Sequence, residues 1–71
     1  MTHGEFVTLN KALEVYVDRF KRALKSNQPM RAMDLICSDM REAFDLKDPS
    51  NRELSKLHQA IQLEMSILEV A

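Results

Sequence analysis

The densest helical pattern in the chain is 48-DPSNRELSKLHQAIQLEMSILEVA-71. At 3.6 residues per turn, Leu54, Leu57, Ile61, Met65 and Leu68 share one face at spacings of three and four. Ala60, Leu63, Ile67 and Val70 repeat that spacing on a second face, well over a right angle away. A surface helix needs a single apolar stripe to meet its own core. The second stripe therefore predicts a second partner, inside the chain or outside it. Two starts are open to this helix. Asp48 can cap it with Pro49 in the first helical position, or Ser50 can cap it with Glu53 closing a capping box.

Working back from that helix, the preceding segment opens at Pro29, where a missing N–H costs nothing. Ala32, Met33, Ile36, Cys37, Met40, Ala43 and Phe44 give it one apolar face, ending near Asp45. Met30, Met33 and Met40 lie in this segment and read as a methionine-padded core. Before it, Phe6, Leu9, Leu13, Tyr16, Phe20 and Ala23 step by three and four, and Val17 and Leu24 widen the stripe. Thr2 and Glu5 have capping-box spacing, and Lys21, Arg22 and Lys25 crowd the end where the helix dipole favours cations. Asn27 is placed to close that helix in the left-handed conformation.

Gly4, Pro29 and Pro49 are the strong breakers, and no segment alternates as a strand would. The connections are short, which makes neighbouring helices antiparallel. The predicted fold is all-α: one domain over residues 1–71, an up-down-up three-helix bundle with helices over about 5–26, 29–45 and 50–70. Residues 1–4 are expected to form a frayed tail. In the competing architecture the first two helices form a hairpin and the third packs on a partner chain.

A chain of 71 residues balances core burial against conformational entropy with little to spare. With one cysteine it has no intramolecular disulfide, so self-association or a bound partner is the expected staple. The composition, 45% hydrophobic and 30% charged, is that of a folding chain. A net charge of −1 argues against nucleic-acid binding through overall charge. The apolar runs are too short to span a membrane, and no leader-like segment opens the chain. Together with the free thiol, this predicts a reducing, cytoplasmic setting.

Candidate chemistry is sparse. His3 falls in the tail, His58 at the border between the core stripe and the polar face, and Cys37 on an apolar face as a small hydrophobe. Asp39, Glu42, Asp45 and Asp48 recur every third position near a helix end, where the dipole disfavours acids. An opposing basic surface, on the first helix or on a partner, would offset that cost. Lys11, Lys21, Arg22 and Lys25 form a basic cluster suited to an acidic partner or to phosphates. Glu14 and Asp18 interrupt the cluster, however, and no aromatic side chain is spaced for base stacking. No catalytic, metal or cofactor constellation is expected.

These observations predict a non-enzymatic protein–protein interaction module of the adaptor, co-chaperone or inhibitor/regulator type. It is expected to form a dimer or to bind a partner protein through Ala60, Leu63, Glu64, Ile67 and Val70. Val15 and Leu35, also apolar and off their core faces, are candidates for a secondary patch. A small nucleic-acid-binding regulator using the basic cluster is the alternative.

Overall fold

The computed structural model describes the backbone from His3 to Val70 and the side chains from Leu9 to Val70. Helix α1 spans His3–Leu24, α2 spans Pro29–Ala43 and α3 spans Arg52–Val70, with a 3-10 turn at Pro49–Asn51 leading into α3. Every pair of helices is in contact, and no strand occurs among the described residues. The chain is a three-helix bundle in which α3 packs on its own α1 and α2, not a hairpin with a detached third helix.

His3 and Gly4, expected in a tail, are the first residues of α1. The Thr2–Glu5 capping box and the place of Phe6 in the apolar stripe lie outside the residues described. At the other end of α1, Asn27 does not take the left-handed conformation, since no described non-glycine residue has a positive φ. The last carbonyls are satisfied by tightening instead. Lys25 N–H donates to Arg22 O at 3.1 Å, Ser26 N–H to Ala23 O at 3.1 Å, and Ser26 Oγ–H to Ala23 O at 2.8 Å. Such three-residue hydrogen bonds end a helix without a positive φ.

Helix α2 starts at Pro29 and stops at Ala43, two residues short of Asp45. The cause is Phe44, whose backbone is extended at φ −138° and ψ 147°. That turn sets its ring edge-on to Tyr16 of α1, with centroids 6.2 Å apart and planes at 81°. Edge-to-face pairs of this kind contribute about 1 kcal/mol beyond the area they bury.

Of the two starts open to the third helix, the Asp48–Pro49 one occurs. Asp48 Oδ1 accepts from Ser50 N–H at 2.9 Å. Lys47 N–H donates to Asp45 Oδ1 at 3.0 Å, and Asn51 Nδ2–H donates to Asp45 O at 2.9 Å, closing the connection on itself.

The core is made by Tyr16 and Ala23 of α1, Met33, Ile36, Cys37 and Met40 of α2, and Leu54 and Ile61 of α3. Met33 and Met40 are fully buried, as a methionine-padded core requires. Met30, at the open end of α2, is exposed.

Candidate interaction face

Helix α3 changes character along its length. In its first half Leu54 and Ile61 keep 2% and 0% of their accessible surface. In its second half Leu63, Ile67 and Val70 keep 62%, 50% and 87%. Ala60 is exposed too, so the second stripe lies on the outside of the bundle, while Glu64 beside it is half-buried. Isolated exposed leucines are common on protein surfaces, whereas a row of aliphatics at spacings of three and four is the pattern of a helix face that meets another element. The stripe continues toward the helix start as charge: Glu53 and Lys56 form an exposed ion pair at 3.7 Å.

Further apolar residues are exposed that periodicity alone assigns to the core: Leu24, Met30 and Leu68. The antiparallel topology brings them to one end of the bundle, where α1 finishes, α2 starts and α3 finishes. Val15 and Leu35 are exposed as well, but they line grooves between α1 and α2 that include no residue of α3. They make an apolar surface separate from α3.

In the Val15 groove the Arg19 guanidinium pairs with Asp39 at 2.6 Å and lies over the Tyr16 ring, its carbon 5.6 Å from the centroid. Burial, and then the Asp39 carboxylate, push the Tyr16 phenol above its usual range against the opposing pull of Arg19. The acidic row is thereby divided. Asp39 meets a base of the first helix, while Asp45 and Asp48 accept backbone N–H groups. Among the described residues no three acidic, histidine or cysteine side chains converge as a metal site would require.

His58 is a core residue. At 9% exposure it fills the turn between Leu54 and Ile61, and its Nε2 lies 3.3 Å from Arg41 Nη1 of α2. A guanidinium has only N–H groups to offer, so Nε2 accepts and the ring proton is assigned to Nδ1. Burial first, then the charge on Arg41, hold the imidazole below its usual range. Arg41 Nη2–H also reaches Ser38 Oγ at 3.3 Å. Cys37 is buried in the core, and burial pushes its thiol up, away from the reactive thiolate.

The basic cluster separates into paired and unpaired members. Lys11 lies 4.0 Å from Glu14 and Arg22 3.1 Å from Asp18, while Lys21 and Lys25 have no ion-pair partner among the described residues. No helix among the described residues is long and apolar enough to cross a membrane. No family model, curated protein or solved structure matches the chain.

Proposed function

We propose that the chain is a non-enzymatic helical interaction module that works by burying the outer stripe of α3 against another protein surface. The observation that carries this reading is the row Leu63, Ile67 and Val70, solvent-exposed at helical spacing on a helix whose opposite face already fills a core. Each of these aliphatic side chains returns on the order of 1–2 kcal/mol when fully covered. A domain of this size gains a useful fraction of its stability from such a contact. An adaptor, co-chaperone or regulator of another protein would work in this way. The buried free thiol of Cys37 suits a reducing, cytoplasmic setting.

The test is the double substitution Leu63→Asp/Ile67→Asp, read by sedimentation equilibrium and by urea unfolding of the dilute chain. Association, with itself or with a protein partner, should be lost while stability changes by no more than about 0.5 kcal/mol, as for surface sites. Association that survives the double substitution removes the reading.

A further inference from the structure

At the end of the bundle where α2 gives way to α3, a hollow of about 380 Å³ opens on the surface. Its polar lining comes from three successive segments: Arg41 near the end of α2, Asp45 and Lys47 in the connection, and Ser55 and His58 in α3. Phe44 and Leu46, both half-buried, give it an apolar side. Its size lies in the range of small-ligand sites. None of the exposed aliphatic residues of α3 lines it, so the hollow is separate from the outer stripe.

Arg41 is held at this hollow without a counter-charge. Arg19 and Arg22 end on the carboxylates of Asp39 and Asp18, at 2.6 Å and 3.1 Å. Arg41 ends on two neutral groups, the His58 imidazole and the Ser38 hydroxyl, each at 3.3 Å. Two N–H groups are used in this way, and the rest of the guanidinium is free to donate. Asp45 does not neutralise it. Its Oδ1 accepts from Lys47 N–H at 3.0 Å, and no ion pair joins it to Arg41 or to the Lys47 ammonium. Two cations against one carboxylate leave the hollow positive while His58 is neutral.

His58 adds a further donor. Its Nε2 accepts from Arg41, which leaves Nδ1–H without an acceptor among the described residues. Sealed from water, that nitrogen would be an orphaned polar atom. No such atom occurs among the described residues, so Nδ1 is open to solvent. The small accessible part of this buried residue thus includes a hydrogen-bond donor beside the hollow.

A guanidinium fixed on two sides, an ammonium, a hydroxyl and a ring N–H together complement an anion with oxygen acceptors. Donors spread over three segments suit the several oxygens of a phosphate or sulfate group better than the two of a carboxylate. We propose that the hollow binds one phosphate- or sulfate-type oxyanion through Arg41, Lys47, Ser55 and the His58 Nδ1–H. Phe44 and Leu46 form a wall on which an apolar ester group can lie. Binding is linked to the protonation of His58, which faces Arg41 from α2 and Asp45 and Lys47 from the connection, while no α1 residue lines the hollow. Burial, and then Arg41, hold the imidazole below its usual range, and an anion beside it favours the imidazolium. By reciprocity, the anion binds more tightly as pH falls.

The test titrates the full chain with sodium sulfate at constant ionic strength, followed by NMR of the backbone amides and of the His58 ring. Sulfate keeps its charge across the titration range of histidine, so any pH dependence belongs to the protein. Saturable shifts should cluster at Arg41, Lys47, Ser55 and His58, and the His58 titration should move up by about half a pH unit or more. Arg41→Gln should weaken sulfate binding about tenfold and Lys47→Gln about threefold. Lys25→Gln, the same change of charge at the opposite end of the bundle, should leave binding unchanged. His58→Gln should remove its pH dependence. Phenyl phosphate set against inorganic phosphate identifies the source: tighter binding of the ester assigns the site to a phosphorylated compound with an apolar body, and equal binding to the free ion. Equal weakening by Lys25→Gln and Lys47→Gln would reduce the attraction to net charge and overturn the proposal. So would shifts that do not saturate, a His58 titration indifferent to sulfate, or acetate bound as tightly as sulfate. Lys47 is exposed, so its substitution keeps the test intact if Arg41→Gln fails to fold.

Discussion

Arg52 to Ile61 and Gln62 to Val70 are successive halves of one helix, both rich in leucine and isoleucine, and they meet different surroundings. The first half inserts Leu54, His58 and Ile61 between α1 and α2; the second has no fully buried residue. Residue type does not account for the difference, since Ile61 and Ile67 are chemically the same. Position does: Ile61 lies in the core among the three helices, whereas Ile67 is half-exposed on the outer face of α3. A helix can thus be a structural element in one half and a presented surface in the other.

Paired truncations should separate the two halves most clearly. Ile61→Ala should lower unfolding free energy by about 3 kcal/mol through lost burial and a residual cavity, whereas Ile67→Ala in the dilute chain should cost about 0.5 kcal/mol or less. Equal effects in urea unfolding would show that the two halves share one environment. A smaller effect, confined to the first half, comes from pH. The folded His58 binds its proton less readily than the unfolded chain, so as pH falls the unfolded state takes up the proton first. Stability is then complete above about pH 6.5 and declines below it, toward the lower folded-state value. Charged groups around the imidazole are Arg41 from α2 and Asp45 and Lys47 from the connection. Urea midpoints measured from pH 8 to pH 5.5 should drop for the wild type and stay level over this range for His58→Gln. Smallest of all is the exposed outer edge of the first half: Lys56→Ala, which removes the pair with Glu53, should change stability by about 0.5 kcal/mol or less.

The three helices, their order and both stripes of α3 were legible in the sequence, because apolar spacing reports the angle at which a side chain leaves a helix. Spacing carries no information on how far along the bundle a residue sits. Leu24, Met30 and Leu68 have core angles yet are exposed at one end. Phe44 also fits the helical period, and the Tyr16 ring that draws it out of α2 lies far away in the chain. Spacing puts His58 at the border of the core, whereas its contact with Arg41 lets the imidazole be buried there. Asn27 resembled a left-handed cap, but Ser26 and Lys25 had already satisfied the carbonyls that such a cap would serve.

The connection between α2 and α3 has a consequence for how copies of the chain can combine. Asp48 N–H bonds to Asp45 O, Asn51 N–H to Asp48 O, and the Asp45, Asp48 and Asn51 side chains bond to nearby backbone groups. Exchange of α3 between two molecules would have to straighten this segment, sacrificing those bonds while stripping Leu54 and Ile61 from the core. Domain swapping is favoured by hinges that gain from opening, and this one loses. Exchange of α3 between chains is accordingly disfavoured, and any association through its outer stripe would join closed bundles without prior unfolding. Copies that separate would then do so as intact, refold-free units.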